Sequence, residues 1–260
     1  MTKAAGRLTI VGTGIRAGPQ TTPEARARIE LAQKVLYLES SGIGAAWIES
    51  LNASAQSLAL FYAPGKPRSE TYDAIVEEIL SWVRKDLDVC AVFYGHPGVL
   101  ADPAHRALKK ARQEGFSAKM LAGVSCEDVL FAELEVDPGT SGCQSYEATT
   151  FLLYQFKFDP RAALILFQVF ALGDAEYNPK SHRQNLPVLV EYLQRFYGAD
   201  HQVIVYVASP YAIGDSSIQR LRLDQLPNAS LHLGSTLYVP PKNLGPADLE
   251  MCDRLGLEVE

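Results

Sequence analysis

The chain predicts an α/β protein in two parts: a mainly parallel N-terminal sheet, then a mixed C-terminal sheet. Three observations predict it. Short apolar runs alternate with helix-period segments through the first half. Three of those runs end in glycine turns, at Val11-Gly-Thr-Gly14, Phe93-Tyr-Gly-His-Pro-Gly98 and Leu121-Ala-Gly-Val-Ser125. In the second half, strand-like runs outnumber helices. Strand–helix alternation implies right-handed crossovers and parallel pairing, and glycine at a strand's carboxyl end lets a ligand approach the main chain at the edge where open α/β sheets bind.

In order, strands are expected at 8–11, 35–38, 57–61, 89–93 and 118–121, with helices at 23–33, 43–51, 69–84, 103–113 and 126–134. Pro23 at a helix start and Gly115 past a helix end punctuate the pattern. The turn-rich Asp137-Pro-Gly-Thr-Ser-Gly142 is the expected boundary between units 1–136 and 137–260. Beyond it, strand-like runs at 145–153, 164–169, 203–208, 218–223 and 235–239 accompany a helix at 186–197, whose apolar residues recur at helical spacing. Segments 198–201 and 209–217 read as loops, and one short helical pattern follows Lys242.

Composition bounds the function. The 260 residues are 47% apolar and 21% charged, enough for a substantial core, and the net charge of −6 argues against non-specific binding to nucleic acid or anionic membranes. No apolar run reaches the roughly 18 to 20 residues needed to cross a bilayer, and no signal-peptide pattern opens the chain. The expected location is the cytoplasm. Cys90, Cys126, Cys143 and Cys252 are scattered and suggest neither disulfides nor zinc.

Gly12-Thr-Gly14 resembles the start of a dinucleotide loop, but the spacing is G-x-G-x-x-x-G, and Glu39 is the acidic residue that would mimic a ribose ligand. His96 and His105 match no metal-ligand spacing, and His182, His201 and His232 stand alone in loop-like contexts. Neither a G-x-S-x-G elbow nor a Walker loop occurs. On the connector from Phe61 to Tyr72, Tyr62, Arg68 and Tyr72 fall at the same sheet edge as Tyr94. Read blandly, Tyr72 is one more aromatic on a helix's apolar stripe with Val76, Ile79 and Val83, and Arg68 is a solvated charge.

Together the motifs resemble the tetrapyrrole-methylase superfamily of S-adenosylmethionine-dependent methyltransferases: Val11-Gly-Thr-Gly14, Gly95-His-Pro97 and Ala122-Gly-Val-Ser125 stand where that family carries V-G-x-G, G-D-P-like and P-G-[IV]-S turns. His96 and Ala122 depart from it. Phe93-Tyr-Gly-His-Pro-Gly-Val99, His105-Arg-Ala107, Glu114-Gly-Phe-Ser-Ala-Lys-Met120, Gly123-Val-Ser125, Tyr146-Glu-Ala148, Phe151-Leu-Leu153, Ser235-Thr236 with Pro240-Pro241, and the Tyr62, Arg68, Tyr72 spacing are similar to the borosin α-N-methyltransferases. Those enzymes methylate backbone amides of ribosomally made peptides.

The resemblance implies S-adenosylmethionine in a cleft between two domains, leaving as S-adenosylhomocysteine. It implies donor contacts at Tyr94, Gly95, His96, Pro97, Gly98, Val99, Ser125, Gln168, Ala208, Ser235 and Thr236. It also implies Tyr72 as base, Arg68 as charge stabiliser and Tyr62 as orienting partner. Because the chain ends at Glu260, the expectation is the split form, a homodimer that acts iteratively on a separate precursor held through a docking leader. A tetrapyrrole C-methyltransferase and a non-catalytic S-adenosylmethionine-binding module remain as alternatives.

Overall fold

The computed structural model describes residues 6–176 and 183–258. The first sheet comprises β1 (Arg7–Gly12), β2 (Lys34–Leu38), β3 (Gln56–Ser57), β4 (Asp88–Phe93) and β5 (Ser117–Met120). Its order is β3-β2-β4-β1-β5, with every pairing parallel. Helices cover both faces, which is why the strands read as unbroken apolar runs rather than alternating ones. On one face α3 (Arg68–Val83) and α4 (Asp102–Gln113) bury Ile75, Ile79, Ala104 and Ala107 against Leu8, Ile10 and Leu36. On the other, α1 (Pro23–Leu31) and α2 (Gly42–Leu51) bury Ile29 and Ile48 against Val11, Val35 and Val92.

From β1 the chain crosses to β2 on one side, and from β4 it crosses past β1 to β5 on the other. The carboxyl ends of β1 and β4 therefore flank the switch point where such sheets open a crevice.

The second sheet is β6 (Cys143–Glu147), β7 (Ala163–Phe167), β10 (Thr236–Val239), β8 (Gln202–Val207) and β9 (Ser217–Arg222), in the order β6-β7-β10-β8-β9. It is mixed: β6 and β7 are parallel and the other pairings antiparallel. On one face α7 (Ala148–Tyr154) and α8 (Leu186–Gln194) build a core around Phe151, Leu189 and Leu193. On the other, Leu130 of α5 (Cys126–Leu134) packs on Ile165, Phe167 and Tyr206. Thus α5 precedes the expected boundary in sequence yet covers the second sheet. After β5 and α5 the chain makes a short helix, α6 (Pro138–Ser141), and the tail carries α9 (Leu249–Leu255).

Several elements differ from expectation. The strand expected at 57–61 is Gln56–Ser57 followed by a 3-10 turn at Ala59–Phe61, because the Ser57 hydroxyl takes the Ala59 N–H and starts a local turn. The run expected as strand at 145–153 becomes helix after Glu147, whose carboxylate accepts the Thr149 and Thr150 N–H groups and caps α7. The strand expected to reach 169 stops at Phe167, where Gln168 turns left-handed. The helices expected to reach 33 and 197 end at Leu31 and Gln194. His182 lies outside the described residues.

Candidate active site

The three glycine turns meet. Gly14 and Gly95 pair as an antiparallel bridge, Gly95 N–H donating to Gly14 O at 2.9 Å and Gly14 N–H to Gly95 O at 3.3 Å. A Cβ on Gly12 would stand 2.2 Å from the Gly95 carbonyl oxygen, and one on Gly123 would stand 3.1 Å from the same atom. The ends of β1, β4 and β5 are thus knitted together at the switch point, and glycine at 12 is demanded by packing.

Within the second turn, Gly98 N–H donates to His96 Nδ1 at 2.9 Å, Val99 N–H donates to His96 O at 3.0 Å, and the Gly98 carbonyl lies 2.9 Å from His105 Nε2. Both histidines therefore brace the loop rather than gather a metal, and among the described residues no His/Cys/Asp/Glu group could hold one. Pro97 is buried against Gly12. Ser125 caps α5 in a reciprocal box: its N–H and hydroxyl donate to Asp128 Oδ2 at 2.6 and 2.7 Å, and its Oγ accepts the Asp128 N–H at 3.2 Å.

At the crevice mouth, Tyr94 is 49% exposed. Burial nonetheless pushes its phenol up, with Cys126, Tyr72 and Glu39 adding to the effect and Arg68 opposing it. Glu39, whose charge acts on the Tyr94 phenol, accepts from Thr13 Oγ1 at 3.1 Å and from the N–H groups of Ser40 and Ser41. Cys126 is pushed up to about 11, chiefly by burial.

Tyr72 and Arg68 lie on the first turns of α3, and Tyr62 just precedes the connector into it. Burial raises the Tyr72 pKa and Asp102 adds to it; the Arg68 charge and a hydrogen bond with Tyr62 favour the phenolate but are outweighed. The structure brings Tyr62, Arg68, Tyr72 and Tyr94 into one electrostatic group.

The remaining predicted residues sit at one edge of the second sheet. Leu237 pairs with Leu166 and Thr236 with Tyr206, which sets Ser235 and Thr236 beside the carboxyl ends of β7 and β8, where Gln168 and Ala208 follow. Val169 N–H donates to Ser235 O at 3.2 Å. Gln168 is left-handed (φ 60°), a backbone state that costs energy outside glycine and concentrates at functional sites. Ser235 and Thr236 are buried, and Ser235 Oγ accepts the His232 N–H at 2.8 Å.

Two bridges tie this edge to the crevice. Arg16, from the loop after β1, pairs with Glu133 Oε1 at 2.7 Å and donates through Nε to Ser209 O at 3.3 Å; Tyr206 donates to Glu133 Oε2 at 2.7 Å. Arg68 N–H donates to Ala175 O at 3.2 Å and its Nε to Glu176 O at 3.1 Å. Sequence reasoning missed Arg16, Glu133 and Tyr206, which have no common motif; the one signal was a cation inside the first glycine turn. A shallow groove between α3 and α4, lined by Asp73, Glu77, Arg106 and Lys110, lies apart from the strand ends and is filled with ion pairs.

The sequence profile of the tetrapyrrole (corrin/porphyrin) methylases matches residues 7–209, from β1 to just past β8. The chain belongs to that family. The fold agrees: over 93% of this chain and all of the other, the uroporphyrin-III C-methyltransferase of Thermus thermophilus superposes with a TM-score of 0.66 at 18% identity. Diphthine synthase superposes with a TM-score of 0.61 at 15% identity, over 92% of this chain and 91% of that one.

The narrower borosin resemblance also holds. The chain is 42% identical over 97% of its length to the methyltransferase/ribosomally synthesized cyclic peptide omphalotin A precursor of Omphalotus olearius. It is 39% identical over 98% of its length to the gymnopeptides precursor of Gymnopus fusipes, a protein of the same kind. It spans 62% of the length of each of these relatives. The expectation of a methyltransferase agrees with the family and with these names.

Proposed function

We propose that this family member transfers methyl groups from S-adenosylmethionine to backbone amide nitrogens of a peptide, iteratively, and that the peptide arrives as a separate chain. One observation carries the reading: Tyr72, hydrogen-bonded to Tyr62 and beside Arg68, shares an electrostatic environment with Tyr94 of the glycine-turn crevice. A pair of residues suited to amide chemistry thus adjoins a crevice suited to a donor.

The donor set fits S-adenosylmethionine. Gly95, at φ +71°, leaves its Cα side open, since a Cβ there would meet only Ile15 at 3.6 Å. The exposed Tyr94 ring offers a face to a cation, the Glu39 carboxylate stands close by, and the turns supply main-chain polar groups. Tyr94, Gly95, His96, Pro97, Gly98 and Val99 would hold it from one side, and Gln168, Ala208, Ser235 and Thr236 from the other. Ser125 has its N–H and hydroxyl proton committed to Asp128, so it would contribute an Oγ lone pair. When bound, the donor supplies an electrophilic methyl group and its own leaving group.

The residues of this chain solve the remaining problem, a very weakly acidic N–H. Each pKa unit between base and substrate costs about 1.4 kcal/mol. Tyr72 is the base, and Tyr62 fixes its hydroxyl. Arg68 stabilises the negative charge that grows on the amide oxygen, as an oxyanion hole does. Alignment of the nitrogen lowers the barrier further.

The relatives named above join methyltransferase and precursor in one protein, and the separate-precursor form proposed here differs from them in that respect. The reading extends to a cytoplasmic homodimer holding one precursor per site through a docking leader, which raises the local concentration of the core. Among the described residues no helix is long and apolar enough to cross a membrane.

The test is incubation of the purified chain with S-adenosylmethionine and synthetic omphalotin A precursor peptide, read by intact mass and fragmentation. Methylene-mass steps on backbone nitrogens are expected; methylation of a tetrapyrrole alone overturns the reading. Light scattering reads the dimer.

A further inference from the structure

The segment after Gln168 leads back to Arg68. From its left-handed turn the chain makes a 3-10 turn (Val169–Ala171) and runs through Gly173 to Glu176. There it meets the start of α3: Pro67 and Glu176 form an antiparallel bridge. α3 has no side-chain cap, and its first orphan N–H, that of Arg68, goes instead to Ala175 O. The next carbonyl, that of Glu176, takes the Arg68 Nε–H. Two consecutive carbonyls thus hold both the backbone and the side chain of one arginine.

The segment is itself pinned. Thr149 Oγ1, on α7, accepts the Gly173 N–H at 3.0 Å. Asn185, just before α8, donates through Nδ2 to Leu172 O at 2.7 Å. The fit is tight, for a Cβ on Gly173 would stand 2.7 Å from that same Nδ2, and Gly173 needs φ +80°.

We propose that residues 172–176 form a strap that sets the direction of the Arg68 guanidinium, and that Thr149 and Asn185 are positioning residues acting through it. Because the run leading into the strap begins at Gln168, one short stretch of chain links the proposed donor wall to the proposed peptide-activating arginine. This rests on the reading of Arg68 given above. Small errors in the aim of a charged donor are costly, since its effect depends on where charge develops.

The test uses Thr149→Val, which keeps shape and removes the acceptor, Asn185→Ala, and the conservative Thr149→Ser. Hydrogen exchange by NMR reads the Arg68 amide and Nε–H without any reaction. Both disabling variants are expected to speed exchange at Arg68 by about tenfold, the scale of losing one hydrogen bond. They should lower kcat on omphalotin A precursor peptide by a similar factor with donor affinity unchanged, and Thr149→Ser should restore both readouts. Unchanged Arg68 exchange in either Thr149→Val or Asn185→Ala overturns the strap, as does failure of Thr149→Ser to restore it. Loosened exchange with wild-type kcat leaves the strap standing and overturns the role assigned to Arg68.

Discussion

The Arg16 guanidinium lies 2.7 Å from Glu133 Oε1, joining the loop after β1 to a helix that packs on the second sheet. Each side chain is about one-quarter exposed. Burial pushes the Glu133 carboxyl up, but Ser216, Tyr206 and Arg16 together hold it below its ordinary value. A depressed carboxylate contributes stability that is fully present above its unfolded pKa and is lost as pH falls through the folded one. Arg16→Ala should therefore cost about 1.5–3 kcal/mol at neutral pH, the scale of a hydrogen bond to a charged group. Melting curves against pH check it: the gap from wild type should shrink as pH drops below about 4.5.

Arg68→Ala and Tyr72→Phe should each abolish peptide methylation while S-adenosylmethionine affinity stays near normal, since both groups act on the amide. Loss of one such stabiliser costs about 10² to 10³ in rate. Intact mass of the peptide and calorimetry of donor binding give the two readouts; a folded variant with normal turnover would refute the assignment.

The methylation rate should rise with pH through the neutral range, because burial keeps the Tyr72 phenol protonated well above neutrality. Asp102 contributes a negative charge that raises this pKa further. Asp102→Asn should move the rising limb of the pH–rate curve to lower pH. Arg106 keeps its second partner, Asp73, in that variant. A limb that stays in place or moves upward would show that Tyr72 is not the titrating base.

Gly12→Ala should destabilise the protein by about 1–3 kcal/mol, the range for forcing an extra carbon into packed surroundings, because the new Cβ would stand 2.2 Å from the Gly95 carbonyl oxygen. Gly65→Ala is the control: its site is open, so only the left-handed backbone cost applies. Thermal melting should rank Gly12→Ala as clearly the worse of the two.

Much of the fold was legible because its signals are local. The apolar run at Val89–Phe93 is buried on both sides, and Gly95 after it takes a left-handed backbone that favours glycine. The helix expected at 126–134 is α5, whose Ser125 cap and partner Asp128 sit only three residues apart. Where local signals compete, reading failed: the run at 145–153 is expected as strand, but the Glu147 carboxylate captured the Thr149 and Thr150 N–H groups and made a helix.

The sequence by itself determined the α/β class, the parallel first sheet and the three glycine turns, since each follows from periodicity and from the φ and space requirements of single residues. Only the tertiary structure decided that α5 covers the second sheet, that Arg16 meets Glu133 and Ser209, and that Ala175 and Glu176 hold Arg68. It also decided the direction of the Tyr72 pKa: the neighbouring Arg68 guanidinium lowers it, but the phenol's burial outweighs that. Pairings between residues far apart in the chain leave no periodic trace, and desolvation depends on everything folded around a group, so neither can be read before the chain closes on itself.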